Sequence, residues 1–182
     1  MEIKRVKDIM VPLDEYALVS QDATLLDALM ALEQAQENLA GGKHPHRAVL
    51  IVDENKNIVG KIGHLGFLKA LEPKYGALGD ISILNKAGIS SEFIESMMEN
   101  FQFFHEDLSV IYKKARMVSV MDVMRPVTEI IDEKACLPEA IHKMVMLQTL
   151  SILVKRGPEV TGVLRLSDLF DEVKKEIKDV MM

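Results

Sequence analysis

The chain has 182 residues, a net charge of −6 and 48% hydrophobic residues, a balance that builds a packed core and leaves no broad basic surface for nucleic-acid phosphates. Its single cysteine, Cys136, excludes an internal disulfide and a cysteine-based zinc site within one chain and suits a reducing compartment, so a cytoplasmic location is expected. The densest apolar run, Ala48 to Val52, is far too short to span a bilayer, and the opening residues lack the apolar stretch of a secretory signal.

The segment VKDIMVP, Val6 to Pro12, recurs as VMDVMRP, Val120 to Pro126, with Val, Asp, Met and Pro at matching places. After the first occurrence a short strand is predicted at Ala17 to Val19. A helix follows, with Thr24 as its cap, Asp27 in the capping-box position, and Leu25, Ala28, Leu29 and Leu32 forming one apolar face. The stretch QENLAGGKHPH reads as an inserted loop. Its His44 and His46 read as solvated, since no carboxylate stands nearby to complete a metal site. Strands at Ala48 to Val52 and Ile58 to Ile62, separated by the turn residues DENKN, and a helix at His64 to Leu71 complete the first copy.

Between the copies, Phe93, Met97, Phe101, Phe104 and Leu108 fall near helical spacing, predicting one or two helices packed on the pair or at a dimer contact. His105, Glu106 and Asp107 read as a polar helix end. Met97, Met98, Met144 and Met146 read as flexible core fillers in helical segments. The second copy repeats the first: a helix whose face is Leu137, Ala140, Ile141 and Met144, with Pro138 in its first turn, then strands at Leu150 to Val154 and Val160 to Leu164 about KRGPE, then a helix at Ser167 to Lys178. Cys136 sits at a helix cap and reads as a quiet structural thiol. A unit of about 60 residues is marginal alone, so the two copies are expected to share a core.

This duplicated strand-helix-strand-strand-helix order, with V-x-D-[IV]-M-x-P opening each copy and VLIVDENKNIVG and TGVLRLSDLF closing them, resembles the CBS-domain pair, or Bateman module. The resemblance implies an α/β (α+β) fold of tandem CBS motifs packed as a pseudo-twofold pair, with motif 1 over residues 1–72, a helical insertion over 73–118 and motif 2 over 119–182. It also implies regulation rather than catalysis. Pairs of this family often bind adenine nucleotides or adenosyl ligands, commonly form flat dimers, and often control an enzyme, channel or transporter. The expectation is therefore a free-standing, non-enzymatic homodimer with no obligatory cofactor. AMP, ADP, ATP or S-adenosylmethionine would be its regulatory ligand, and an unidentified enzyme or transporter its target.

In the family pattern the last strand leads through Ser or Thr, then two residues, to an Asp that accepts from both ribose hydroxyls. The second copy places Asp168 there, preceded by Ser167, with Arg165 where the hydroxyl usually stands. Arg165 either offers a forked donor to a phosphate or fills the space a nucleotide needs. Ser167 before Asp168 is equally an ordinary helix opening. Ile130 and Val127, assigned to the second copy's first strand, are adenine-edge candidates that would also suit a core. The first copy has Gly63 and Gly66 in place of the clamp, and His64 reads as exposed, so one adenosyl site per chain is the most expected. Two other readings stay open: a ligand-free dimerisation or interaction module, favoured by Gly63, Gly66 and Arg165, and a divalent-cation sensor, drawn from the acidic balance alone. No phosphate-binding P-loop, dinucleotide glycine fingerprint or serine elbow occurs in the sequence.

Overall fold

The computed structural model describes residues 4–39, 41, 43–72, 75, 88, 90–101 and 107–180. In chain order its elements are β1 (Val11–Pro12), β2 (Leu18–Ser20), α1 (Leu25–Glu37), β3 (Ala48–Val52), β4 (Ile58–Gly63) and α2 (His64–Ala70). Then follow α3 (Ser91–Phe101), α4 (Leu108–Ala115), α5 (Val120–Val123), β5 (Ile130–Asp132), α6 (Leu137–Leu147), β6 (Ser151–Arg156), β7 (Glu159–Arg165) and α7 (Leu166–Val180). Strand-helix-strand-strand-helix occurs twice, as the sequence pattern predicts.

Each repeat builds its sheet by the same physical route. A parallel strand pair needs a crossover, and α1 supplies it between β2 and β3 as α6 does between β5 and β6. The antiparallel hairpins β3–β4 and β6–β7 turn on local chemistry. In the first, the Asp53 carboxylate accepts from the backbone N–H groups of Asn55 and Asn57 at 2.9 and 2.8 Å. In the second, Gly157 takes the left-handed conformation at φ 59° that a side chain would disfavour. Helix α1 starts with a reciprocal cap: the Thr24 hydroxyl accepts from the Asp27 N–H at 3.2 Å, and the Asp27 carboxylate accepts from the Thr24 N–H at 2.8 Å. Donation from the Thr24 N–H, and then from the Thr24 hydroxyl at 2.7 Å, holds the Asp27 carboxyl below its ordinary pKa. Cys136 caps α6 without a side-chain hydrogen bond.

The two openers are exchanged between the halves. Val6 is fully buried among Ile131, Ala140, Met144, Ile152 and Leu164 of the second half, while Val120 is fully buried among Ala17, Leu25, Ala28, Val49 and Ile62 of the first. The main chain follows suit. Val6 N–H donates to Ala135 at 3.0 Å, and Val120 N–H donates to Ala23 at 3.0 Å. Strand β1 pairs with β7, so among the described residues the sheets run β2-β3-β4 and β1-β7-β6-β5. A third cluster, Val11, Tyr16, Leu50, Leu153 and Val163, joins the sheets. Each such buried apolar side chain contributes roughly 1.5–3 kcal/mol, so neither half keeps its core without the other's opener.

Several side chains depart from expectation. Leu29 and Ile141, predicted on the buried helical faces, are 43% and 37% exposed, because each sheet covers a narrower stripe of its helix than the sequence spacing alone implies. Met144 fills the second core, but Met146 is 67% exposed. The first strand begins one residue later than predicted, and α7 extends two residues further, to Val180. In the segment between the repeats, Phe93 is exposed and Asp107 caps α4 by accepting from the Ser109 N–H at 3.1 Å. The predicted roles of Phe104, His105 and Glu106 lie outside the described residues.

Candidate functional site at the junction of the two halves

Arg165 is the last residue of β7 and Asp168 lies one turn into α7, a spacing of three that turns both side chains to the same corner. Arg165 Nε donates to Asp168 Oδ2 at 2.5 Å and Nη2 donates to Oδ1 at 2.8 Å, a bidentate fork. The remaining nitrogen, Nη1, donates to the His44 carbonyl at 2.7 Å and lies 3.4 Å from His46 Nδ1. Arg165 is only 5% exposed, so these acceptors stand in for water.

The facing wall comes from the first half. His46 is fully buried and meets Tyr16 edge to face, with ring centroids 4.7 Å apart. Since a guanidinium only donates, this contact is a hydrogen bond when His46 Nδ1 is the acceptor, as in the neutral ring. Burial, reinforced by Arg165, pushes the His46 pKa below its ordinary value. Its Nε2 is buried with no hydrogen-bond partner among the described residues. Burial also pushes the Tyr16 phenol up to about 12. Outside the corner, His44 Nε2 lies 2.6 Å from an Asp171 carboxylate oxygen. Lys174 first, and His44 second, hold the Asp171 carboxyl down at about 2.

The reading of His44 and His46 as a solvated loop is thus corrected. The added length of this loop lets it fold back over the start of α7, where His46 is packed and His44 is paired. A hollow of about 610 Å³ lies between residues 14–18 and the last turns of α1, sharing Tyr16 with the corner but not lined by Arg165, Ser167 or Asp168.

Of the residues singled out in the sequence, Arg165 and Asp168 meet here, and Ser167 lies between them in the chain. Val127 lies before β5 and packs on the cluster between the sheets, and Ile130 on β5 stands two strands away from β7. The exchange of openers explains the separation: the start of α7 faces Tyr16 and His46 of the other copy, not the second copy's own first strand. Sequence reasoning missed Tyr16 and His46. The only signal for them was the unmatched length of the 36–46 segment.

The opposite corner differs. Gly63 and Gly66 leave no carboxylate at the start of α2, and His64 is exposed. Buried Lys61 crosses to the second half, its Nζ donating to the Ser151 carbonyl at 3.1 Å and lying 3.6 Å from Glu129. Burial lowers the Lys61 pKa against the opposing pull of Glu129. Among the described residues no three His, Cys, Asp or Glu side chains gather as metal ligands, and no helix is long and apolar enough to cross a membrane.

No protein-family model matches the chain, and no curated protein matches it. Solved structures do. The CBS-pair protein CBSX2 from Arabidopsis thaliana is 16% identical with a TM-score of 0.61, covering 97% of this chain and 99% of that one. A putative acetoin utilization protein, AcuB, from Vibrio cholerae is 18% identical with a TM-score of 0.59, covering 99% and 96%. The CBS domain of a bacterial CNNM/CorC family Mg2+ transporter, solved in complex with ATP, is 15% identical with a TM-score of 0.58, covering 93% and 87%. CBSX2 has also been solved in complex with AMP. The chain has the tandem fold of a CBS-domain pair.

Proposed function

We propose that the chain is a regulatory, non-catalytic CBS pair that senses an adenosine-containing ligand, AMP, ADP, ATP or S-adenosylmethionine, and modulates a partner enzyme or transporter in the cytoplasm. The observation that carries this reading is the composite corner. Asp168 stands where a carboxylate would take the ribose hydroxyls, against Tyr16 and His46 of the other half, so a ligand there touches both halves at once. Fold neighbours with AMP or ATP bound lend support. Ser167 and Arg165 complete the proposed ligand set, while Val127 and Ile130 stay on the structural side of it.

Binding would shift the packing of the halves to the extent that the ligand prefers one arrangement, and motifs over 1–72 and 119–182 with helices over 73–118 give a partner a surface to read. Homodimerisation is part of the proposal. Leu68 and Phe170 are exposed apolar residues at matching places in α2 and α7, with exposed Leu65 and Leu166 beside them.

Calorimetric titration of the four ligands into the wild type and Asp168→Ala tests the reading. At least one should bind the wild type and lose most of its affinity in the variant. No binding by any of them would defeat it. The rival reading, an interaction module without a ligand, is favoured by one observation: Arg165 and Asp168 already satisfy each other.

A further inference from the structure

Helices α3 and α4 lie between the repeats, in the segment the CBS-pair pattern does not account for, and they carry opposite charges. Residues 108–121 hold Lys113, Lys114 and Arg116 and no carboxylate, whereas α3 holds Glu92, Glu95 and Glu99 and no cation. On α4, buried Ile111 is the residue that seats the helix on the chain. Ser109, Lys113 and Arg116, separated by four and three residues, line up on the opposite side and are exposed. Tyr112 and Val110 flank that row, 58% and 42% exposed, so an aromatic ring and an aliphatic side chain border two cations. On α3, half-buried Ile94 and Met97 mark the inner side. Glu92, Glu95 and Glu99, at spacings of three and four, form one exposed row with exposed Phe93 beside it. Among the described residues, none of Glu92, Glu95, Glu99, Lys113 and Arg116 forms an ion pair within the chain. Each row therefore points outward unpaired, with the charge the other needs.

We infer that α4 is a docking surface for a second copy of this chain, whose α3 lays its acidic row on the basic row of α4 while the reverse contact forms between the other two helices. A two-fold pair of identical chains makes such a contact twice. The inference rests on the homodimer reading above and deepens it, adding two charged contacts to the apolar one at α2 and α7. A chain of net charge −6 repels its own copies at long range, so a copy is admitted only where local charges complement each other. The cations of α4 and the carboxylates of α3 meet that need. The apolar residues bordering the rows, Phe93 on one side and Tyr112 and Val110 on the other, supply the dry part of the contact.

Two charge-reversed proteins test it by sedimentation equilibrium at low salt, with circular dichroism to verify folding. Glu92→Lys with Glu95→Lys and Glu99→Lys makes both rows positive, and Lys113→Glu with Arg116→Glu makes both negative. Each variant alone should self-associate at least about tenfold more weakly than the wild type. The first variant is discriminating, because its net charge rises from −6 to about zero and long-range repulsion alone would predict stronger self-association. An equimolar mixture of the two should recover association to within about threefold of the wild type, since opposite rows then meet in both contacts. A mixture of either variant with the wild type should not recover it, because one of the two contacts is then opposed. Where the triple variant does not fold, Glu95→Lys and Lys113→Glu should follow the same pattern with smaller changes. Self-association unchanged in either charge-reversed protein would overturn the inference and leave the dimer reading standing. Loss in both with no recovery in their mixture would also overturn it, since the rows would then meet something other than each other. A wild type monomeric at micromolar concentration would remove the dimer reading and this inference together.

Discussion

Gly162→Ala tests the exchange of openers between the halves. A Cβ at Gly162 would lie 2.5 Å from the Val11 carbonyl oxygen and 2.9 Å from Met10 Sδ, both belonging to the first opener seated on the second sheet. The sulfur can swing aside, but the carbonyl belongs to the β1–β7 ladder, where Pro12 faces Gly162 in register. Overpacking typically costs 1–3 kcal/mol, and an unyielding backbone atom puts this site at about 3 kcal/mol. For a chain of this size that lowers Tm by roughly 6–12 °C. Gly60 is the matching position in the first half, and there a Cβ would collide mainly with the side chain of Met124, with the Arg125 carbonyl at 3.2 Å. A flexible thioether gives way more easily, so Gly60→Ala should cost about 1 kcal/mol, roughly 2–4 °C. Differential scanning calorimetry on both variants measures the contrast. Unchanged stability in Gly162→Ala, or equal losses in the two, would show that the openers do not sit where the cores require them.

Asp168→Ala should destabilise the chain by about 2 kcal/mol in urea, less than for a fully buried pair because the carboxylate is partly exposed and Arg165 keeps its His44 acceptor; no loss at all would mean the fork does not hold the corner. His46 has a lowered pKa in the folded chain, so its contribution is complete above the unfolded value of about 6.5 and declines as pH falls below it. Tm should therefore drop as pH falls below about 6.5, and His46→Phe, which keeps a ring against Tyr16 but cannot take a proton, should flatten that slope. The Asp171 carboxyl, held at about 2, acts in the same direction but in a lower window, from its ordinary value of about 3.9 downward, so it does not confound the comparison. A pair of charges on the apolar face, Leu68→Glu with Phe170→Glu, should convert the proposed dimer to a monomer of 20.4 kDa by light scattering without lowering Tm, since both side chains are exposed within one chain. A wild type already monomeric at micromolar concentration would refute the dimer.

Local rules made most of the fold legible in the sequence. Thr24 with Asp27 fixed one helix start, the DENKN turn separated two strands, and a period near 3.6 marked α1 and α6. Those signals depend on residues a few positions apart. The exchange of openers depends on residues far apart in the chain, such as Val6 with Ala135 and Val120 with Ala23, and no local pattern reports it. For that reason the family resemblance reaches Arg165 and Asp168 but not Tyr16 and His46, which stand beside them. Val127 and Ile130 were assigned from proximity in sequence, whereas Tyr16 and His46 arrive from the other half. Lys61 escaped notice for a related reason. A lysine in a strand reads as solvent-facing until the partner carbonyl of Ser151 and the Glu129 carboxylate are brought to it from the second half.

The same exchange explains why the two corners have diverged in chemistry although the repeats match in order. Each corner is assembled from the helix start of one half and the strand start of the other, so a change at one helix start alters one corner only. Arg165 and Asp168 close the corner at α7 with a salt bridge from the end of β7 to the first turn of α7, whereas at α2 the glycines leave Lys61 and Glu129 to pair across the halves. Both corners cross the junction by a buried cation on a main-chain carbonyl, Arg165 on His44 and Lys61 on Ser151. They differ in the carboxylate beside the cation, since Asp168 belongs to the same half as Arg165 whereas Glu129 faces Lys61 from the other half. Under the proposed function a ligand would therefore act at the α7 corner, where the carboxylate can be approached without parting the halves.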